Sequence, residues 1–229
     1  MRTPLVRRRP RAVRGASGTS PPTTPRGRLA CGGEGRQNQG MGRAHKGVDA
    51  RLAEWLQAQP VFFVGTAPSG SDGHINVSPK GNRGELAVLG PSKVAYLDQT
   101  GSGAETIAHL RENGRLVIMA CAFSGPPRIV RLHGRGRAVF PGDGEWVGLA
   151  ERVRSTGGDP DGVGTRSIVV LEVERVADSC GYGVPLMAFE GHRSTMHEWA
   201  TRKGADGIAQ YQADKNATSI DGLPALDPR

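Results

Sequence analysis

Lysine is absent from residues 1–40, and so is every acid except Glu34. Nine arginines (Arg2, Arg7, Arg8, Arg9, Arg11, Arg14, Arg26, Arg28 and Arg36) stand there almost unopposed and account for the whole net charge of +8. Residues 41–229 are therefore neutral, and the basic balance gives no reason to expect a basic groove on the folded part. The same forty residues have almost no large apolar side chains and are rich in Pro, Gly, Ser, Thr and Arg. Such a composition cannot bury a core, and it predicts a disordered extension. No apolar run follows Arg8-Arg9, which argues against a secretory or twin-arginine signal. A transit peptide, a nucleic-acid arm and a start at Met41, where the composition changes, all stay open. No window is apolar enough to span a membrane. The three cysteines, Cys31, Cys121 and Cys180, form neither a CxxC nor a zinc pattern, so a reducing cytoplasm is the expected compartment. Cys121 falls in the apolar run 116–123 and is expected to be a small buried hydrophobe. A catalytic triad, a carboxylate pair, a P-loop and an internal repeat are missing too.

What is present is a succession of short strands. Residues 48–59 carry apolar positions at helical spacing, with Asp49 near the start and Pro60 at the end, which predicts a helix. Strands are predicted at 61–67, 74–80, 85–89, 94–98, 116–123, 128–140 and 167–176. Tight turns, such as Pro68–Gly73 and Ser124-Gly-Pro-Pro127, join several of them. Helices are predicted at 104–113, stopped by Gly114, at 143–155, and at 192–202 and 205–215. Residues 180–185 read as an irregular loop, and a polar tail begins at Ser219. Without regular βαβ alternation, the order favours an antiparallel barrel over a doubly wound sheet. The expected organisation is an extension over 1–40, a barrel domain over 41–178 and a helical appendix with its tail over 179–229.

Two stretches carry chemistry. In His74-Ile-Asn-Val-Ser-Pro-Lys-Gly81, Ile75, Val77 and Pro79 alternate with His74, Asn76, Ser78 and Lys80. One strand face is thus apolar, and the other is a row of hydrogen-bonding groups ending in a cation. The second stretch, Tyr96-Leu-Asp-Gln-Thr-Gly-Ser-Gly-Ala-Glu-Thr106, runs from a strand into a helix start. A polar strand face beside a turn rich in Gly, Ser and Thr suits a phosphorylated cofactor.

The strand order and both motifs resemble the pyridoxamine 5′-phosphate oxidase-like family, over roughly 48–176. The resemblance implies a β-barrel with peripheral helices, the mainly antiparallel split β-barrel of the FMN-binding type. It also implies a homodimer with flavin at the subunit interface and an oxidoreductase acting on a small molecule. The strand Asn76, Val77, Ser78, Pro79, Lys80 and Gly81 would run along the isoalloxazine ring. Asp98, Thr100, Gly101, Ser102, Gly103 and Thr106 would surround the FMN phosphate. Two departures stand out: the turn holds no cation, and the family's usual Arg before the strand Lys is replaced by Asn76 or Ser78. Phosphate binding would then rest on Lys80, hydroxyls and backbone N–H groups, and vitamin B6 oxidation is not expected. The deazaflavin F420 in place of FMN, or a non-catalytic flavin or haem carrier or sensor, stays open.

Plainer readings compete at several positions. Ser102-Gly-Ala-Glu105 matches a capping box, Lys80 could be a solvated turn residue, and His74 reads as a surface residue. His133 and the arginines Arg128, Arg131, Arg135 and Arg137 read as a solvated or interface face of a strand. Cys180 and Tyr182 sit on a Gly-flanked loop, and His192 and His197 are badly spaced for a metal. Expected partners are a small-molecule substrate and a second copy of the chain, with neither nucleic acid nor membrane and no metal.

Overall fold

A computed structural model describes residues 43–227. The extension over 1–40, with its arginines and Cys31, lies outside the described residues. The elements run β1 (Arg43–His45), α1 (Ala50–Gln57), β2 (Phe62–Thr66), β3 (Asn76–Lys80), β4 (Leu86–Gly90), β5 (Lys93–Gln99), α2 (Glu105–Glu112), β6 (Arg115–Cys121), β7 (Ile129–Val139), α3 (Trp146–Ser155), β8 (Thr165–Ser179) and α4 (Thr195–Lys215). Every predicted strand and helix is present. The short β1 was not foreseen, because three residues carry no usable periodicity.

The eight strands form one antiparallel sheet in the order β3-β2-β6-β7-β8-β5-β4, with β1 paired to the far end of β8. The path starts at β3 and ends at β4 without closing, which is the expected split barrel. The fifteen-residue β8 holds it together. It pairs with β5 along its first half, with β1 at its end and with β7 over most of its length. Gly134 sits at the bulge between β7 and β8, and a Cβ there would lie 1.9 Å from the Glu172 carbonyl oxygen. Only glycine permits that approach.

Alternation along the strands sends one set of side chains inward. Phe62, Val64, Tyr96, Ile118, Leu132, Val169 and Leu171 are buried together in the main core. The amphipathic α1 adds Leu52 and Leu56, and Asp49 caps it by accepting from the Leu52 N–H at 2.8 Å. Burying an aliphatic or aromatic side chain of this size contributes about 1.5–3 kcal/mol. A second cluster unites Ala150 and Val153 of α3 with Leu97, Val139 and Ile168.

The two helices predicted for the C-terminal appendix are the two segments of α4, separated at Gly204, whose non-helical backbone, with a φ of 67°, no other residue type adopts cheaply. The predicted polar tail is docked: Ala225 is fully buried against Ala104, Ile107 and Ala108. Three small apolar side chains (Leu223, Ala225, Leu226) spaced among polar ones were too sparse to show this. No helix among the described residues is long and apolar enough to cross a membrane.

Candidate functional site

The edge strand β3 presents its polar face inward. Its register with β2 sets Asn76 opposite Thr66, Ser78 opposite Val64 and Lys80 opposite Phe62, and residues directly opposite share a face. Ile75 and Val77 point the other way and are 77% and 64% exposed. Inside, Asn76 Nδ2 donates to Thr66 Oγ1 at 3.2 Å and to Thr106 Oγ1 at 3.1 Å. Ser78 Oγ donates to Asn76 Oδ1 at 3.0 Å. These bonds tie β3 to the first turn of α2.

Lys80 is not a solvated turn residue. Its Nζ donates to Asp98 Oδ1 at 2.9 Å. Asp98, on β5, is 1% exposed and is gripped from the other side by Arg166, whose Nε lies 2.8 Å from Oδ2. Burial alone would raise the Asp98 pKa, but Arg166 and Lys80 outweigh it and hold the carboxyl well below the usual carboxylate range. The group thus carries two cations against one anion. Sequence reasoning missed Arg166. Its only signal was a lone charge at the start of the apolar run Ser-Ile-Val-Val-Leu, and its burial comes from partners 50 to 68 residues away.

The capping-box reading of the turn is corrected. α2 has Ala104 at its N-cap position and no side-chain cap. Ser102 is exposed, and Glu105 turns outward to accept from the Ile220 N–H at 3.0 Å. The appendix competes for that carboxylate, so the reciprocal box never forms. The turn is held by its carbonyls instead. Asn216 Nδ2 donates to the Gly101 oxygen at 3.0 Å, and Arg166 Nη1 donates to the Gly103 oxygen at 3.0 Å and to Asn216 Oδ1 at 2.8 Å. In a trans peptide the N–H points opposite to the C=O. The N–H groups of Ser102 and Ala104 are therefore directed away from these two partners, at the positive end of a helix.

A cleft of about 520 Å³ opens between β3 and this turn. Asn76, Ser78, Pro79, Lys80 and Gly81 line one side. Asp98, Gly101, Ser102, Gly103 and Thr106 line the other, with Arg166 beside them and Arg193 and Met196 reaching in from the appendix. Two of the predicted site residues stand elsewhere. Val77 is on the outer face, as its alternation demands. Thr100 is fully buried behind the turn, where its Oγ1 accepts from Gln212 Nε2 at 2.8 Å. Glu85 also borders the cleft; it is 3% exposed, and burial raises its pKa against the Asn82 hydrogen bonds that lower it.

The remaining polar residues have structural partners. His74 Nδ1 lies 2.7 Å from Asp221, which fastens the tail to the β3 approach. Arg128 pairs with Asp178 and stacks on Trp55, Arg135 and Arg137 pair with Glu174 and Glu145, and Arg131 donates to Ser179. His133 lines the outer face beside Val77 and Val117. Cys121 is buried and Cys180 exposed. Among the described residues no cluster of His, Cys, Asp and Glu is arranged to hold a metal.

The family model for pyridoxamine 5′-phosphate oxidase matches residues 48–180. The chain is 39% identical over 198 residues to the pyridoxamine 5′-phosphate oxidase family protein ustO of Aspergillus flavus, covering 80% of this chain and 77% of that one. Among solved structures it is similar to a conserved hypothetical protein from Mycobacterium tuberculosis at 17% identity, covering 69% of this chain and 98% of that one, with a TM-score of 0.44. It is also similar to an FMN-binding protein from Syntrophomonas wolfei at 14% identity, covering 56% and 82%, with a TM-score of 0.40. The family match spans both the β3 strand and the turn into α2, and on that ground the chain belongs to the pyridoxamine 5′-phosphate oxidase family.

Proposed function

We propose that this protein is an FMN-dependent oxidoreductase acting on a small molecule, as a cytoplasmic homodimer. The observation that carries the reading is the pair of cations gathered on Asp98. Lys80 and Arg166 exceed Asp98 by one positive charge, and the uncapped start of α2 adds unpaired N–H dipoles beside them. That combination suits a phosphate and a flavin ring whose reduced form is anionic. Arg166 takes the place of the cation missing from the turn.

FMN, when bound, supplies the redox chemistry, accepting and returning a hydride. This chain's own residues bind and orient it. Ser102, Gly103 and the N–H groups of the turn would hold the phosphate, with Arg166 behind them. Ser78 and Lys80 would face the ring edge, where the Lys80 charge favours the reduced anion. Asn76, committed to Thr66 and Thr106, fixes the distance between the ring-binding strand and the phosphate-binding turn.

The test is a titration of the purified full chain with FMN, followed by quenching of flavin fluorescence, with F420 and haem titrated in parallel. Saturable, stoichiometric quenching by FMN supports the reading. A preference for F420 transfers the same chemistry to the deazaflavin, and a Soret band with no flavin binding would overturn it.

A further inference from the structure

Three cavities meet at Asn82: the cofactor cleft, a smaller one beneath α4, and a third of about 520 Å³ between the α1–β2 connection and the segment after β8. The third shares Gly81 and Asn82 with the cofactor cleft. The shared wall is thin because Gly81 comes so near the α1–β2 connection that a Cβ there would lie 2.6 Å from the Pro60 oxygen.

Its lining differs in charge from that of the cofactor cleft. The cleft sets Lys80, Arg166 and Arg193 against three carboxylates, Asp98, Glu85 and Glu105, whereas the third cavity contains no carboxylate. It has two ionisable donors instead, Arg83 and His192, and neither forms an ion pair among the described residues. Its two glutamines are already committed: Gln57 Oε1 accepts from the Val88 N–H at 3.0 Å, and Gln59 Nε2 donates to the Trp55 oxygen at 2.8 Å. Two phenylalanines belong to its lining. Phe62 is buried, with its ring edge-on to Tyr96 in the main core, and lies directly across the ladder from Lys80. Phe189 is 57% exposed and stacks edge-on against His192 at 4.9 Å. That pair belongs to the irregular strap between β8 and α4, which is fastened to the β6–β7 turn by a bond from the Met187 N–H to the Phe123 oxygen at 2.9 Å.

We infer that this third cavity is the substrate subsite and that it takes an aromatic carboxylate. The ring would lie against Phe189, and the carboxylate would meet Arg83, with His192 beside it. The assignment as a substrate site rests on the flavin reading above, since the cavity adjoins the cleft at Gly81 and Asn82. The strap, and not the barrel, then sets specificity, because it supplies the outer wall.

The test is a ligand-observed NMR titration of the full chain with benzoate, benzamide and cyclohexanecarboxylate, each with and without saturating FMN. Benzoate is expected to bind at least tenfold more tightly than benzamide, the gap typical of losing one charge-assisted hydrogen bond. Arg83→Gln should abolish that preference, whereas Phe189→Ala should weaken benzoate and benzamide alike. Both residues are exposed in loops, so neither change threatens the fold, and Arg154→Gln, on α3 and outside the lining of all three cavities, serves as the control. Equal binding of benzoate and benzamide, or a preference that survives in Arg83→Gln, would overturn the inference. Flavin binding is read separately by fluorescence, so failure of the cofactor reading is not mistaken for failure of the carboxylate site.

Discussion

Asp98 shows how a single buried carboxylate organises the cleft. It is 1% exposed and serves two cations, one of them the 5%-exposed Arg166. Asp98→Asn removes the counter-charge and strands Arg166, which should cost about 3–5 kcal/mol. Because its folded pKa is depressed, this contribution is complete above the unfolded carboxylate value, near pH 4. It is lost as pH falls further, through the folded value. Denaturant melts should therefore show a constant gap between wild type and Asp98→Asn from neutral pH down to about pH 4, closing only below. Glu85 has the opposite sign. Burial raises its pKa, so the folded state holds that proton more tightly, and stability falls as pH rises from the unfolded value to the folded one. Glu85→Gln should thus raise the melting temperature at pH 7, and the gain should vanish in acid where wild-type Glu85 is protonated. A gain that persists at low pH would contradict this account. Lys80 is 19% exposed and half of an ion pair. Lys80→Ala should weaken FMN binding about tenfold and also cost the cofactor-free protein about 1.5–3 kcal/mol, as read by fluorescence titration and denaturant melts. The sequence showed Lys80 at the end of a polar strand face, but not its partner, because Asp98 is 18 residues on.

The elements were legible wherever one periodicity dominated. The alternation of β3 and the helical spacing of α1 both survive into the structure, since each buries a single face. What the sequence hid was the job of the appendix. α4 reads as a modest surface helix, yet its end holds the turn before α2 by long-range hydrogen bonds from Gln212 and Asn216. A capping box and a carbonyl clamp look identical at the level of Ser102-Gly-Ala-Glu105; only the docked tail, which takes Glu105 for itself, decides between them. Asn216 is fully buried; its side chain accepts from Arg166 Nη1 and donates to the Gly101 oxygen. Asn216→Ala leaves the Gly101 oxygen and one Arg166 donor unsatisfied, at about 1–3 kcal/mol. If the clamp also aims the N–H groups of the turn, FMN affinity should fall in this variant by more than the stability loss explains at a temperature where it stays folded. Asn216→Asp keeps the acceptor for Arg166 and should recover part of the stability but not the bond to Gly101. Unchanged FMN affinity in Asn216→Ala would separate the appendix from the cofactor site.

At the scale of the whole molecule, the edge strand poses a problem that one chain does not solve. β3 spends its polar face on the cleft, so Ile75 and Val77 are left outward beside Val117 of β6 and His133 of β7. Edge strands of soluble proteins rarely carry adjacent exposed β-branched residues unless something covers them. The homodimer proposed above would cover them with a second copy of this chain, related by a twofold axis so that the same patch serves both partners. The charges around the patch suit that arrangement: Arg135 and Glu174 flank it with opposite signs, so a copy turned through half a revolution can set each beside the other. Val77→Asp tests the idea without touching the cleft, since position 77 faces away from Asn76, Ser78 and Lys80. Wild type should scatter light as a dimer at micromolar concentration and Val77→Asp as a monomer, with the monomer's melting temperature then independent of protein concentration. If the variant stays dimeric, the two copies meet through another face. If it becomes monomeric but binds FMN as tightly as wild type, the cofactor is held by one chain alone, and the site does not need the interface.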